Sequence, residues 1–348
     1  MRILFWGTPV YALPSLDALV AAGHELVGVV SQPDRRRGRG GARQASAVKA
    51  RAMELNLPVF TPERIRRDPE CQAVLSALAP DLSVVVAFGQ ILPPEVLGAP
   101  PLGCWNGHGS LLPRWRGAAP IQWALLEGDR RSGVGIMAME EGLDTGPVLL
   151  EREVAIGLLE NASQLGARLA ALTAELLVEA LPRIGAAGAG AEAERWARLG
   201  LRPQAEEGIT YARRLQPEDA RIDWNAPALE LHRRILALHP QAQASWQGRR
   251  LKLLASEPLV RRLADELSPE GRELAERWGA AGAAPAGTVL EVVKEVGLVV
   301  ATGGCPLLVR AGQLEGKAAA EGGRLLQQLG VQEGDRLQAG LGSNRKTV

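Results

Sequence analysis

Asn106 and His108, separated by one glycine, sit inside GCWNGHGSLLPRWRGAAPIQ (Gly103 to Gln122), a run holding an amide, an imidazole, a hydroxyl, two prolines and two arginines. His108 is one of only four histidines in the chain. An amide donates hydrogen bonds, and an imidazole takes or releases a proton near neutral pH. On an extended segment residues two apart point to the same side. Asn106 and His108 can therefore face one point, while Gly107 lets backbone or ligand come close. A third group is Asp144 in GLDTGP, which matters to this pair only if the fold carries its carboxylate to His108. The same residues also fit a plainer reading, with Asn106 and Asp144 as turn formers and His108 as a loop histidine.

The second chemical feature is RRRGRGGARQASAVKAR, with seven basic residues and no acidic one between Arg35 and Arg51. Its glycines at 38, 40 and 41 predict a flexible loop rather than a helix. Such a loop suits a phosphate backbone, bound through charge and counterion release, and it equally fits a solvated loop. Other chemistries are disfavoured. Gly-Thr-Pro after the first apolar run is no dinucleotide fingerprint, and the chain has no Walker sequence. His24, His232 and His239 lack metal-type spacing, so no metal is expected. Cys71, Cys104 and Cys305 are odd in number and far apart, which fits a reducing compartment. Net charge is +1, with 46% apolar and 23% charged residues in 348, the balance of a globular protein. The N-terminus lacks a signal-peptide core, and no stretch reaches the length of a membrane span. A cytoplasmic protein is expected.

These groups need elements to position them. RILFWG reads as a buried strand entering a turn, ELVGVVSQP as a second, LPVFTP as a short third, and DLSVVVAFG as the strongest buried strand. ALPSLDALVAAGH, SAVKARAMELN and ECQAVLSALAP alternate with them at helical spacing. That rhythm predicts an α/β, doubly wound, mostly parallel sheet, and ligands gather outside the carboxyl ends of such strands. SQLGARLAALTAELLVEALPRI is an amphipathic helix. From Gly185 the composition turns to Ala, Gly and charge, suiting a loose connector. Beyond it, short strands with Gly turns predict a small β-barrel, interrupted by a charged helical insertion with a flexible end. The expected domains are 1–184, a linker over 185–206, and 207–348.

NGHGSLLPRWRGAAPIQWAL with GLDTGPVL resembles the 10-formyltetrahydrofolate-dependent formyltransferases. The likeness runs over nearly the whole chain: FWGTPVYALPSL as opening strand and turn, SQPDRRRGRG as basic loop, VVVAFGQILPPEVL as central strand. YARRLQPEDARIDW resembles the start of the C-terminal domain in the branch of the family that acts on tRNA. The resemblance implies a Rossmann-like catalytic domain followed by an OB-like barrel that adds tRNA contacts. It implies transfer of the formyl group of 10-formyltetrahydrofolate to the α-amine of initiator methionyl-tRNA, by a monomer that needs no membrane and no metal. Asn106, His108 and Asp144 fill the catalytic positions. Ser110, Leu111, Leu112 and Pro113 line the folate site, and Phe88, Gly89, Ile91 and Leu92 offer backbone to the pterin. Arg35, Arg36, Arg37, Arg39 and Arg43 face the tRNA acceptor stem.

Three positions depart from the family pattern. Gly107 stands where a branched apolar residue is usual, which implies a looser site. Gly41 replaces the lysine usual after Gly-Arg-Gly. The insertion over Val260 to Gly282 has no counterpart in the common pattern. Other readings are a transferase for a small amine, a hydrolase of formylfolate, or an RNA-binding protein without activity. For formyl transfer, the free amine is already a nucleophile, and the tetrahedral oxyanion is the difficult species. Asn106 and a charged His108 suit it as fixed donors, with Asp144 holding the imidazole charged.

Overall fold

In a computed structural model that describes residues 1–37, 41–280 and 284–340, the chain divides into two compact units. The first holds Met1–Pro120, Arg131–Val154 and Gly166–Arg213. Its strands are β1 (Arg2–Gly7), β2 (Glu25–Val30), β5 (Val59–Phe60), β6 (Leu82–Val86), β7 (Cys104–His108), β9 (Arg131–Ala138) and β10 (Val148–Ala155). They form one sheet in the order β10-β9-β7-β6-β1-β2-β5. All pairings from β5 to β7 are parallel, and β9 runs antiparallel to β7. The apolar runs in β1 and β6 are buried on both sides, as central parallel strands must be. Helices α1 (Leu13–Ala21), α2 (Ala47–Glu54), α3 (Pro69–Ala77), α4 (Pro94–Leu97), α6 (Ala162–Ala187) and α7 (Glu192–Leu199) accompany the sheet.

Strand order reverses between β1 and β6. There the loops after the two strands are tied together, Thr8 Oγ1 donating to the Phe88 carbonyl at 2.9 Å. This is the position at which open α/β sheets present a crevice.

The basic segment is more ordered than its glycines suggest. β3 (Arg35–Arg37) and β4 (Ala42–Gln44) pair as an antiparallel ribbon, and α2 follows, capped by Ser46 accepting from the Lys49 amide at 3.0 Å. Lys49 and Arg51 are therefore helical, and both are ion-paired, Lys49 with Asp34 at 2.8 Å and Arg51 with Asp17 at 2.8 Å. The expectation of one flexible stretch from Arg35 to Arg51 thus fails at both ends of the segment. Gly38, Arg39 and Gly40 lie outside the described residues.

The 185–206 stretch is also folded. α6 continues to Ala187, and α7 has Glu192 and Glu194 in its first turn, Arg198 in its last and Gly200 at φ 60° as its cap. Its composition reads as a connector because Ala and charge are common there, yet the same residues are strong helix formers whose charges complement the dipole. Beyond α7, Arg202 and Val148 exchange both backbone hydrogen bonds, at 2.9 and 3.1 Å. β8 (Arg116–Gly117) and β11 (Tyr211–Ala212) form a small parallel pair.

The second unit holds Ile121–Arg130, Ala155–Leu165 and Arg214–Val348. α5 (Pro120–Glu127) and α8 (Ala228–Ala237) accompany an antiparallel sheet in the order β12-β13-β16-β15-β14: β12 (Gln243–Trp246), β13 (Arg249–Pro258), β14 (Val289–Val293), β15 (Gly297–Val300) and β16 (Leu307–Leu314). β17 (Ala320–Glu321) pairs with β16 and leads into α10 (Gly322–Leu329). The segment after α10 bridges both edges of the sheet, Ser245 with Gln338 and Thr288 with Arg336, which closes the strands into the expected barrel. The charged insertion forms a 3-10 turn (Arg261–Glu266) and α9 (Pro269–Trp278). Leu274 and Ala275 of α9 pack on Leu259, Val299 and Leu308. The flexible end expected for it falls on residues 281–283, outside the described residues.

Candidate active site

Strand β7 pairs with β6 on one side and β9 on the other, Asn106 lying opposite Val85 and Met137 and His108 opposite Gly135. The alternation of a strand sends Asn106 and His108 to one face and Gly107 to the other. The opposite face is filled. A Cβ on Gly107 would collide with Thr173 Cγ2 of α6 and come within 3.6 Å of Val86. Thr173 is held there by two hydrogen bonds, to the Leu169 carbonyl at 2.7 Å and with the Tyr11 hydroxyl at 2.9 Å. Burial pushes the Tyr11 phenol up to about 12, against a smaller opposing effect of the Thr173 bond. The side chain missing at 107 is thus supplied by the helix behind it, and the looseness expected of the glycine does not occur.

Asp144, in the loop between β9 and β10, reaches both residues. Its Oδ1 accepts from Asn106 Nδ2 at 3.3 Å, and its Oδ2 accepts from the Gly117 amide at 2.8 Å and lies 3.7 Å from His108 Nδ1. His108 Nε2 is 3.1 Å from the Trp115 carbonyl. Nε2 is thus within hydrogen-bonding distance of a carbonyl, while Nδ1 lies beside the Asp144 carboxylate but beyond hydrogen-bonding distance of it. The histidine is 6% exposed, so the group is recessed rather than displayed on a loop. Sequence alone left open whether Asp144 joins the pair; the fold brings all three together.

Asp144 adopts φ 55°, a left-handed conformation that a non-glycine residue rarely takes unsupported. Gln204 supports it. The Gln204 amide donates to the carbonyls of Asp144 (2.7 Å) and Gly146 (2.8 Å), and its Oε1 accepts from Arg116 Nε and Nη2 at 3.0 and 2.7 Å. Trp115, also at positive φ (63°), donates its amide to Thr210 Oγ1 at 2.9 Å. Sequence reading missed Gln204, Thr210 and Thr173. A glutamine in an Ala- and Gly-rich stretch carries no signal of its own, and Arg116 was singled out only as part of its run.

The remaining expected residues are placed as follows. Ser110 is buried and donates to the Arg114 carbonyl at 2.6 Å, and Leu112 packs with Met137 and Val148. Leu111 and Pro113 are half-buried. The side chains of Phe88 and Leu92 belong to the core, Phe88 edge-on to Trp6, so only their backbone is available to a ligand. Ile91 is 67% exposed, and Gly89 sits at φ 87° where its bare backbone faces Gln32. Arg35, Arg36 and Arg43 are exposed on the β3–β4 ribbon, Arg36 directly opposite Arg43. Arg37 pairs with Ala42, and Arg39 lies outside the described residues. Among the described residues no group of three or more His, Cys, Asp or Glu side chains is arranged to hold a metal ion. None of their helices is long and apolar enough to cross a membrane.

The chain belongs to the formyltransferase family: the formyl transferase pattern matches residues 1–181 and the formyl transferase C-terminal domain residues 214–330. It is 64% identical over 332 residues to the methionyl-tRNA formyltransferase of Synechococcus sp. (strain RCC307), covering 94% of this chain and all of the relative. It is 58% identical to that of Prochlorococcus marinus (strain MIT 9313), over 97% of this chain and 99% of the relative. Among solved structures, the sugar 3N-formyl transferase WlaRD matches at TM-score 0.59 and 17% identity, over 91% of this chain and 99% of that one. HypX from Aquifex aeolicus in complex with tetrahydrofolic acid matches at 0.57 and 16%, over 94% of this chain and 47% of that one. These two structures share the fold.

Proposed function

We propose that this chain transfers the formyl group of 10-formyltetrahydrofolate to the α-amino group of initiator methionyl-tRNA, giving N-formylmethionyl-tRNA. The observation that carries the reading is the convergence of Asn106, His108 and Asp144 at the carboxyl end of β7, in a chain so similar to named methionyl-tRNA formyltransferases.

The amine attacks the formyl carbon, a C–N bond forms, and the bond from that carbon to N10 of the folate breaks. The charge that develops meanwhile sits on the formyl oxygen. Asn106 gives one N–H to Asp144 and keeps a second for that oxygen. His108 lies beside the same carboxylate, with Nδ1 3.7 Å from Asp144 and so not hydrogen-bonded to it, and in the proposed reaction it supplies the second donor. Donors fixed in this way contribute on the order of 3–4 kcal/mol each to the transition state. The amine must lose a proton and N10 must gain one; Asp144 accepts and His108 donates, directly or through water. No covalent enzyme intermediate is required.

The folate takes the crevice beside the β1 and β6 ends, with the backbone of Phe88 to Leu92 on one side and Ser110 to Pro113 on the other. The tRNA meets the ribbon. Arg36 and Arg43 are a like-charge cross-strand pair, unfavourable in isolation, and a phosphate between them turns the repulsion into attraction. The C-terminal barrel, from residue 207 onward, adds contacts. The reading places the protein in the cytoplasm, as a monomer. Incubation with 10-formyltetrahydrofolate and charged initiator tRNA, with mass spectrometry of the released amino acid, tests it. Formylmethionine is expected; formate release without it, or formylation of a free small amine alone, would refute the assignment.

A further inference from the structure

The insertion has a place in the second unit. Arg262 and Leu263 of its 3-10 turn line a cavity of about 300 Å³, together with the end of α5, the Ile156–Leu158 segment and one side of α8. Leu125, Ile156, Leu158, Leu229, Leu236 and Leu263 make its walls apolar. Its charged lining consists of three guanidiniums, from Arg130, Arg233 and Arg262, and the carboxylate of Asp129.

These groups are not equivalent. Arg130 is spoken for: both of its terminal nitrogens pair with Glu266, which the insertion itself provides. His232 is fully buried with Nε2 at 2.8 Å from the Leu158 carbonyl and Nδ1 at 3.1 Å from Ser256 Oγ, so it offers the cavity no free nitrogen. The side chains of Arg233 and Arg262 have no hydrogen bond or ion pair with any described residue, and Arg262 is exposed at the rim. The Arg233 guanidinium is half-buried and lies on the backbone of Gly128, where a Cβ would collide with it; Gly128 takes φ 74°. A half-buried charge against leucines without an acceptor is costly, and a planar guanidinium is the group that best receives a carboxylate or phosphate.

We infer that this cavity binds a small organic oxyanion, its carboxylate or phosphate taken by Arg233 and Arg262 and its branched or aromatic carbon body seated against the leucines. The volume matches the small end of ligand pockets, and its concavity and mixed apolar and charged lining distinguish it from the open charged surface that a nucleic-acid backbone follows. The insertion thereby acquires a role: it closes the cavity with Leu263, braces it through Glu266 and arms it with Arg262.

Isothermal titration of the full chain with phenyl phosphate, benzoate, inorganic phosphate and benzyl alcohol tests the assignment. Saturable binding of phenyl phosphate or benzoate is expected. Arg233→Gln and Arg262→Gln should each weaken it about tenfold, the loss of one charge-assisted hydrogen bond. Leu263→Trp, which fills the space and leaves the charges, should abolish it, and inorganic phosphate and benzyl alcohol should bind far more weakly. Absence of saturable binding to the wild-type chain, or binding unchanged in all three variants, overturns the inference. So does phosphate binding that the Gln variants lose and Leu263→Trp keeps, particularly if they also lower tRNA affinity, because the arginines would then be a surface patch for a nucleic-acid backbone.

Discussion

Replacing Gly107 by alanine adds one methyl group on the face of β7 opposite the two side chains proposed to meet the formyl oxygen. The space for it is already held by Thr173 Cγ2, with Val86 at 3.6 Å and Ile136 at 3.8 Å closing the sides. Thr173 cannot simply rotate away, because a β-branched residue inside a helix has few rotamers and its hydroxyl is bonded to Leu169 and Tyr11. Strand β7 must yield instead. Overpacking of this kind costs about 1–3 kcal/mol, a fall in Tm of roughly 2–4 °C for each kcal/mol. A displacement near 1 Å at the reacting groups costs on the order of 100-fold in kcat. Thr173→Ser removes the colliding methyl and keeps the hydroxyl; alone it should cost about 1 kcal/mol, the value of one buried methyl. In the double variant Gly107→Ala/Thr173→Ser the added and deleted methyls exchange places, and both Tm and kcat should return most of the way to wild type. Thermal melts and saturation kinetics on the four proteins give the coupling directly. A Gly107→Ala variant indistinguishable from wild type, or losses that merely add in the double variant, would show that Thr173 does not set the position of β7.

Three further outcomes are expected. His108→Ala should lower kcat about 100- to 10,000-fold, the usual contribution of a positioned acid–base group, while equilibrium binding of the folate stays within a few-fold; near-normal turnover would remove His108 from the chemistry. Gln204→Leu strips the donors from the Asp144 and Gly146 carbonyls and the acceptor from Arg116, so kcat should drop more than KM changes, with Gln204→Glu recovering only the Arg116 contact; equal losses in kcat/KM for both substrates with kcat intact would contradict a role in holding Asp144. Burial holds His232 down at about 4 against an ordinary 6.5, so the unfolded chain takes up a proton first as pH falls: the stability that neutral His232 confers is complete above pH 6.5 and is lost toward pH 4, by up to about 1.4 kcal/mol per pH unit. Melts across that range should show a shallower slope in His232→Gln than in wild type, and identical slopes would mean that other groups govern the acid side.

Much of this was legible in the sequence because the deciding signals are local. The unbroken apolar runs of β1 and β6 read as buried strands between helical segments, and on an extended segment the two-residue spacing of Asn106 and His108 puts them on one face. What could not be read is long-range. Nothing near Gly107 announces Thr173, 66 positions later, as the residue that fills its place, and nothing in RPQAEEG marks Gln204 as the support of a strained aspartate. Ser110 to Pro113 are a related case. Nothing in SLLP announces that Ser110 bonds back to the Arg114 carbonyl or that Leu112 packs with Met137 and Val148, since both partners are set by how the loop folds. The stretch from Gly185 is a different case: alanine-rich charged sequence is ambiguous between loose chain and helix, and only packing decides.

The basic segment shows what counting charges leaves out. Of the seven basic residues, Lys49 and Arg51 are neutralised by carboxylates within the same unit, so their charge serves the helix and not a partner. Arg36 and Arg43 are the reverse, placed opposite each other where each raises the energy of the other. A fold that pairs two of its cations and opposes two more separates charge satisfied within the chain from charge left open to a partner, and Arg43→Glu probes whether the second kind is used. It converts the opposed pair into an attractive one and should leave the ribbon at least as stable, as read by protection of the ribbon's backbone amides from exchange. Yet the KM for initiator tRNA should rise, and the slope of log affinity against log salt should flatten by roughly 0.7–0.9 for each phosphate that is no longer neutralised. Lys49→Ala, by contrast, should lower stability and leave the salt slope alone. Should Arg43→Glu preserve the slope, or Lys49→Ala reduce it as much, the ribbon would not be the surface that meets the phosphates.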